Sequence, residues 1–169
     1  AVPTANAGPD QRVNPGAAVN LSGSGADSDG SIASQQWTQM LGTAVTLTGA
    51  STMAPSFTAP STGDTLTFRL TVTDNLGATG TDSANVVINA PPTANAGANQ
   101  NILSSAAVTL NGSGSDSDGS VASYAWAQTA GTAVTLVGAS TATVSFTAPS
   151  TSETLTFQLT VTDNEGASS

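Results

Sequence analysis

The stretch TLTFRLTVTD at positions 65–74 has the clearest pattern in the chain. Apolar side chains occupy every second position, and threonine or arginine occupies the positions between them. This alternation is typical of a β-strand that buries one face and exposes the other. The stretch TLTFQLTVTD at 154–163 repeats it with one change. The fold is therefore expected to be built on strands, and the same strand occurs twice.

The whole sequence consists of two copies of one module, offset by 89 positions. The motif PTANAG begins at Pro3 and again at Pro92, and 52 of the 79 positions aligned between 2–80 and 91–169 are identical, without insertions. Solenoid repeats are about 20–50 residues long, whereas a β-sandwich domain needs ~100. We therefore predict two separate domains, 1–89 and 90–169.

Within each module, further short alternating runs are separated by turns rich in Gly, Asn, Asp and Pro, and no segment has a helical period. Six or seven short strands at this spacing predict an all-β, immunoglobulin-like sandwich. The second copy ends before the counterpart of SANVVI at 83–88. It is expected to lack its last strand and to leave a sheet edge unpaired. Either a fragment boundary or a strand donated by another chain or repeat would explain this.

Charge and composition exclude several kinds of partner. The net charge is -9, the only basic side chains are Arg12 and Arg69, and Lys, His and Cys are absent. Nucleic acid and anionic membrane surfaces require basic patches, so neither is expected as a partner. No apolar run reaches the ~20 residues of a membrane span, and no leader opens the sequence, which predicts a soluble mature segment or an excised fragment.

The same composition argues against catalysis. Without His, Cys or Lys there is no ordinary base for a Ser or Thr nucleophile, and only paired carboxylates remain for acid–base chemistry. A glycosidase uses such a pair, but a module this small has little room for a substrate cleft. We predict that the chain is not an enzyme. The absence of Lys also excludes an intramolecular Lys–Asn isopeptide bond.

Acidic residues are concentrated in two repeated motifs, the DSDG loop and the end of the VTD strand. A sandwich can bring both motifs to one pole, where carboxylates ~4 Å apart would repel by ~4 kcal/mol at an effective dielectric of ~20. The two arginines cannot neutralise both sites, because they align with Asn101 and Gln158. The residues concerned are Asp27, Asp29 and Asp74 in the first module, and Asp116, Asp118 and Asp163 in the second.

Two interpretations of these carboxylates remain open. An all-oxygen donor set suits Ca²⁺, whereas Zn²⁺ would favour the Cys or His that the chain lacks. The loop is not an EF-hand, because Gly25 and Gln36 occupy the positions where acidic ligands belong. Alternatively, DSDG is only a hydrogen-bonded loop, and Asp74 and Asp163 cap the turn that follows.

The aromatic side chains are assigned mainly to the core. Trp37 and Trp126 lie in the strand after the acidic loop, where sandwich domains place a core aromatic. Tyr124 aligns with Gln35, so its position tolerates a polar side chain and is expected to be exposed. Tyr124 is therefore the one candidate for an aromatic contact with a ligand.

The ordered motifs PTANAGPDQ, GADSDGSIASQQWTQ, FTAPST, TLTFRLTVTDNLGA and SANVVI resemble the PKD (polycystic kidney disease) domain family over nearly all of both modules. The resemblance implies an immunoglobulin-like sandwich found in cell-surface proteins and in accessory modules of secreted bacterial hydrolases. It implies an extracellular, non-catalytic module within a larger protein, acting as a spacer, in adhesion or in substrate binding. Chitin, collagen or another insoluble polymer would be the substrate.

Some PKD domains bind Ca²⁺, and the resemblance carries their ligands onto this sequence. In the second module they are Asn89 in the linker, Asp116, Asp118 and Asp163. In the first they are Asp27, Asp29 and Asp74, and the position of the linker Asn lies at or before Ala1. Calcium held partly by Asn89 would fasten the linker, whose backbone Pro91 and Pro92 already restrict. The leading expectation is thus a calcium-stiffened spacer; the alternatives are a polymer-binding module and a repeat of a strand-complemented fibre.

Overall fold

The structure is a computed structural model that describes residues 1–169. It is all-β, with fourteen strands and no helix, as the sequence predicted. It therefore contains no helix that could cross a membrane. The chain divides into two compact units, Ala1–Ala90 and Pro91–Ser169.

The first unit contains eight strands: β1 Thr4–Asn6, β2 Gln11–Val13, β3 Ala18–Asn20, β4 Ser24–Ala26, β5 Ile32–Leu41, β6 Ser56–Thr58, β7 Asp64–Asp74 and β8 Thr79–Ile88. Its main sheet has the order β2-β8-β7-β5. The pairs β1-β4 and β3-β6 form the remaining sheets. All pairings are antiparallel except that of β2 with β8.

The core of the first unit forms on one face of β7. Leu66, Phe68, Leu70 and Val72 are all 0% exposed, which is the inward face that the alternating pattern predicted. From β6, Phe57 packs on Phe68 with ring centroids 4.9 Å apart. The two layers of the sandwich meet at this contact.

Both tryptophans belong to the core, as predicted. Trp37 is 1% exposed in the first unit and Trp126 is 6% exposed in the second. Each lies on the strand that pairs with the alternating strand, opposite a leucine of it, Leu70 and Leu159 respectively. The sequence pattern therefore located the central aromatic of each sandwich.

The second unit repeats this plan with six strands: β9 Thr93–Asn95, β10 Ala107–Asn111, β11 Ser113–Ser115, β12 Val121–Ala130, β13 Thr143–Thr147 and β14 Thr156–Asp163. They form three two-stranded sheets, β9-β11, β10-β13 and β12-β14. The irregularities in strand pairing also recur. The register of β12 with β14 shifts at the two positions that align with the shifts between β5 and β7.

The second unit lacks a counterpart of β8, which confirms the prediction of a missing last strand. Its beginning is present, because Ser168 bridges Thr162 and the backbone of Ser169 pairs with Val161. Two neighbouring segments also differ from the first unit. Residues 100–102, which align with β2, form no strand, and β14 is three residues shorter than β7 at its start.

Burial in the second unit reflects the missing partner. Leu155 and Phe157 are half-buried, whereas the aligned Leu66 and Phe68 are fully buried. The fully buried residues form two small clusters instead of one. Because the alternating strands 65–74 and 154–163 differ at one position, we attribute the difference in burial to the absent strand.

An acidic side chain clamps a loop at the start of each alternating strand. Asp64 accepts hydrogen bonds from the backbone N–H and the hydroxyl of Thr43, both at 2.7 Å. In the second unit Glu153 accepts from the backbone N–H of Thr132 at 2.8 Å. The Thr43 hydroxyl and N–H groups lower the pKa of Asp64, and the backbone N–H of Thr132 lowers the pKa of Glu153.

The matched leucines predict unequal costs of truncation. Leu66→Ala removes a fully buried side chain, so we expect the free energy of unfolding to fall by about 2–5 kcal/mol. Leu155→Ala removes a side chain already partly in water and should cost about 1–2 kcal/mol. NMR-detected urea unfolding would measure both, with the indole signals of Trp37 and Trp126 reporting the two units separately. Equal costs would contradict the structure.

The acidic clamp predicts a dependence of stability on pH. Because the folded-state pKa of Asp64 lies below its ordinary 3.8, its ionised form stabilises the fold above that pH. This contribution is lost as the pH falls through the folded-state pKa. Asp64→Asn keeps an oxygen acceptor but removes the titration, so the unfolding free energy should change less with acidification from about pH 5 to 2. Identical pH slopes for both proteins would refute the clamp.

Candidate calcium site

The acidic loop and the end of the alternating strand meet at one pole of the first unit. Ile32, just after the loop, pairs with Asp74 in the β5–β7 register. Beside it, the backbone N–H of Ser31 donates to Asn75 Oδ1 at 3.0 Å, and the N–H of Asn75 donates to the Ser31 carbonyl at 3.0 Å. The predicted meeting of the two motifs is confirmed.

The second unit joins the same motifs in the same way. Val121 pairs with Asp163, and the backbone N–H of Ser120 donates to Asn164 Oδ1 at 2.7 Å. The N–H of Asn164 returns a hydrogen bond to the Ser120 carbonyl at 2.9 Å. The pole is thus a repeated feature of the fold.

The aspartate at the end of each strand organises the turn that follows it. Asp74 is 3% exposed, and its Oδ1 accepts from the backbone N–H groups of Leu76 and Ala78 at 2.8 and 2.9 Å. Asp163 is 2% exposed and accepts in the same way from Glu165 and Ala167. The turn interpretation therefore accounts for one oxygen of each carboxylate.

The first aspartate of each acidic loop is only partly satisfied. Asp27 Oδ1 and Asp116 Oδ2 are shielded from solvent and accept no hydrogen bond. Asp27 Oδ2 and Asn75 Oδ1 lie 2.6 and 2.4 Å from the point where a Cβ on Gly30 would stand. In the second unit, Asp116 Oδ2 and Asn164 Oδ1 lie 2.6 and 2.5 Å from the corresponding Cβ position of Gly119. A shielded carboxylate oxygen without a donor is costly, so each loop contains an acceptor that a cation would stabilise.

The second aspartate of each loop is exposed. Asp29 forms an ion pair with the amino group of Ala1. The hydrogen bond from Ala1 lowers the pKa of Asp29, and the neighbouring Asp27 contributes to this shift. Asp29 in turn raises the pKa of the Ala1 amino group. In the second unit, the backbone N–H of Asp118 faces Asp116 Oδ1 at 3.4 Å.

The carboxylates of each pole do not form a ready-made metal cage. No group of three or more His, Cys, Asp or Glu side chains is arranged to hold a metal ion. Asp74 and Asp163 each direct one oxygen into the turn that follows them. The donors are hard oxygens of the kind that Ca²⁺ prefers. An ion would therefore have to draw the exposed aspartates inward.

The Asn89 side chain is buried in the first unit and hydrogen-bonded to residues of that unit. It is 1% exposed, its Oδ1 accepts from the Arg12 guanidinium at 3.3 Å, and its amide donates to Asn14 Oδ1 at 3.0 Å. Its backbone N–H donates to the Val13 carbonyl. Its role as a ligand of the second module stays a prediction.

Sequence reasoning missed the two asparagines that join the pole, Asn75 and Asn164. The signal was present, because both copies read TDN and each Asn lies 44 positions after the serine that it binds. It also predicted that Tyr124 is exposed, but Tyr124 is half-buried and packs against the cluster around Trp126. Its role in ligand contact has not been tested.

The fold and the paired poles define a tandem of immunoglobulin-like β-sandwiches. The family model described as "K319L-like, PKD domain" matches residues 7–88 and 96–169, so the chain belongs to the K319L-like PKD domain family. The resemblance noted in the sequence is thereby confirmed.

Similar proteins include the mouse dyslexia-associated protein KIAA0319-like protein, 36% identical over 138 residues, or 76% of this chain. The human dyslexia-associated protein KIAA0319 is 39% identical over 105 residues, or 57% of this chain. The chain spans 13% and 10% of their lengths. These relatives are from mouse and human, whereas the sequence suggested a bacterial module; the source stays a prediction.

Solved structures include the PKD domain from KIAA 1837 protein, 33% identical, which covers 50% of this chain and 84% of its own, with a TM-score of 0.45. The N-terminal eight Ig domains of Down Syndrome Cell Adhesion Molecule cover 99% of this chain and 26% of their own, at 13% identity and a TM-score of 0.56. The latter likeness shows the immunoglobulin-like fold.

Substitutions at Asp74 separate its charge from its role in the turn. Asp74→Ala removes the acceptor of two backbone N–H groups, so we expect the free energy of unfolding to fall by about 1–3 kcal/mol in the presence of a chelator. Asp74→Asn keeps a side-chain oxygen at the same place and should cost less than ~1 kcal/mol. Urea unfolding measures both, with Asp163→Ala and Asp163→Asn as the matched pair. A cost for Asn as large as for Ala would contradict the turn assignment.

Proposed function

We propose that the chain is a non-catalytic, extracellular structural module, a calcium-stiffened spacer of two PKD domains within a larger secreted or cell-surface protein. The observation that carries the calcium part is the shielded, unpartnered carboxylate oxygen at the same loop position of both units, Asp27 and Asp116. A repeated orphan acceptor indicates a shared ligand better than a chance defect in one copy.

The burial and hydrogen bonding of the acidic side chains at the poles support a non-catalytic role. The most buried carboxylates, those of Asp74 and Asp163, hold backbone turns, and such groups serve the fold. The other acids of the poles lie in the DSDG loops. Neither unit pairs them with a His, Cys or Lys, because the chain has none. A structural role explains why the buried carboxylates bind backbone N–H groups. A hydrolytic role would require a base partner that the chain does not have.

The proposed ligands follow the two poles. In the first unit, Asp27 would offer its shielded oxygen, Asp74 the oxygen outside its turn, and Asp29 an exposed third carboxylate. Asp116, Asp163 and Asp118 are their counterparts, and Asn89 is the proposed linker ligand of the second site. Bound Ca²⁺ would supply positive charge among carboxylates that otherwise repel.

Stiffening rests on the linker. Pro91 and Pro92 restrict the backbone that follows Asn89. If calcium binds the second pole and Asn89 together, it opposes bending at this joint. A spacer of tandem sandwiches would then keep its length better with calcium than without it.

The polymer-binding alternative has less support. It requires a row of exposed aromatic side chains, and the one candidate, Tyr124, packs against the core. The large apolar side chains that are exposed are aliphatic, such as Leu76 and Leu103. Retention on chitin, cellulose or collagen is therefore not expected.

Calcium titration tests the proposal. With chelator first and Ca²⁺ at ~100 times its Kd afterwards, each occupied site should add ~2.7 kcal/mol to the stability of its unit. Thermal melting and NMR shifts of the loop N–H groups measure binding. Small-angle scattering measures stiffening, which should appear as a narrower distribution of molecular lengths in calcium.

Matched variants identify the site. Asp27→Asn should abolish the effect in the first unit and Asp116→Asn in the second, whereas Asp82→Asn, outside both poles, should leave both effects intact. No change in melting or in loop signals at millimolar Ca²⁺ would refute calcium binding, and binding without any change in scattering would refute the stiffening.

A further inference from the structure

Each acidic loop contains an aspartate followed directly by a glycine, Asp29-Gly30 in the first unit and Asp118-Gly119 in the second. In such a pair the backbone nitrogen of the glycine can attack the side-chain carbonyl carbon, because glycine has no Cβ to shield its nitrogen. The chain has one related pair, Asn111-Gly112, in which the carbonyl belongs to an amide. The sequence therefore offers three positions at which the backbone can close into a succinimide ring.

The structure blocks this reaction at Asn111-Gly112. The Gly112 N–H donates to the Ala142 carbonyl at 2.9 Å, so its nitrogen is already engaged. Asn111 is the last residue of β10 and pairs with β13. A Cβ on Gly112 would lie 2.6 and 2.7 Å from side-chain carbons of Leu159 and Trp126, so the core packs closely on this residue. Attack at this position requires that the strand opens first.

The two Asp-Gly pairs of the acidic loops are not held in this way. They lie in bends between strands, at 28–30 and 117–119. Asp29 and Asp118 are exposed, and the N–H groups of the glycines that follow them donate no hydrogen bond within the chain. The nitrogen and the carbonyl carbon can therefore meet without the loss of any strand pairing.

The loop cannot avoid this reaction by replacing its glycine. A Cβ on Gly30 would stand 2.4 Å from Asn75 Oδ1 and 2.6 Å from Asp27 Oδ2, which is too close for any side chain. An alanine would displace the oxygens that join the loop to the end of β7. The glycine that the pole requires therefore also leaves the preceding aspartate open to attack.

We propose that Asp29 and Asp118 are sites of spontaneous conversion of aspartate to isoaspartate. The glycine nitrogen bonds to the side-chain carbonyl carbon, and the hydroxyl of the carboxyl group leaves with the amide proton as water. Water then opens the succinimide ring. Opening at the main-chain carbonyl gives isoaspartate, and opening at the other carbonyl restores aspartate. The reaction needs no oxidant, reductant or enzyme.

Isoaspartate would end the calcium role of the loop, and this part of the inference rests on the proposed function. The rearrangement adds a methylene group to the main chain and shortens the branch that carries the carboxylate. The carboxylate is then displaced from the other ligands of the pole. Conversely, a carboxylate that coordinates Ca²⁺ is held by the ion and not by the glycine nitrogen. The calcium-free loop therefore accumulates isoaspartate, and bound calcium slows the conversion.

The test incubates the unmodified chain in chelator at neutral pH, folded and in urea. Mass spectrometry with electron-transfer fragmentation distinguishes isoaspartate from aspartate at each position. In the folded chain the rates at Asp29 and Asp118 should stay within about threefold of their rates in urea, because loops open at almost no free-energy cost. The rate at Asn111 should fall by at least about tenfold on folding, because its hydrogen-bonded strand must open first.

Matched variants assign the signal to each loop. Asp29→Glu keeps a carboxylate but needs a larger ring that closes more slowly, so isoaspartate should disappear from the first loop while Asp118 continues to react. Asp118→Glu should give the converse result. Asp82, which precedes a serine within β8, should stay unmodified in the folded chain.

Calcium tests the protection separately. At ~100 times the Kd about 1% of the sites are free, so the formation of isoaspartate should slow by up to about 100-fold. After incubation in chelator, calcium titration should show a loss of binding in proportion to the isoaspartate formed.

Several outcomes would overturn the proposal. These are no isoaspartate in the folded chain when the chain in urea has reacted, equal rates at Asn111 in both states, or an undiminished signal in the glutamate variants. Equal rates with and without Ca²⁺, in a chain that binds Ca²⁺, would refute the protection. A fresh chain that forms isoaspartate but binds no Ca²⁺ would instead refute the calcium proposal and leave the modification sites in place.

Discussion

The first unit depends on strand β7, because both edges of this strand are paired and one of its faces is fully buried. It pairs with β5 on one edge and with β8 on the other, and the four apolar side chains of its inward face are excluded from water. Burial of such side chains contributes roughly 1.5–3 kcal/mol each. The same strand ends at Asp74, so the strand that builds the core also delivers the carboxylate to the pole.

The two units form an internal comparison in which 52 of 79 aligned residues are identical and one strand is absent. Phe157 lies in the same alternating run as Phe68, with Gln158 in place of Arg69, yet it is half-buried because nothing corresponds to β8 beside it. The aromatic contact across the layers survives, since the rings of Phe146 and Phe157 are 4.8 Å apart, close to the value in the first unit. The contact between the layers therefore does not require the last strand, whose absence leaves Phe157 partly exposed.

The sequence predicted the features that depend on period and on the repeat. Alternation in 65–74 identified β7 and its buried face, and the 89-residue offset identified two sandwiches. It also offered the turn caps of Asp74 and Asp163 as one of two alternatives, and the structure contains those hydrogen bonds. It missed the bonds of Asn75 and Asn164, because they join segments 44 positions apart through loop geometry that has no period. Tyr124 was misjudged because alignment with the polar Gln35 was taken as exposure, although both positions are half-buried.

The turn and calcium interpretations of the pole use different oxygens and are therefore compatible. Asp74 directs Oδ1 to two backbone N–H groups, which fixes the carboxylate and leaves Oδ2 outside the turn. A carboxylate oriented in this way loses little conformational entropy on binding an ion, because folding has already restricted its rotamers. Asp27 adds a second restrained carboxylate, with an oxygen already removed from water. What the pole lacks is a third fixed ligand, and the exposed Asp29 is the side chain with the freedom to become one. On this view the turn does not compete with the ion; it positions the first ligand for it.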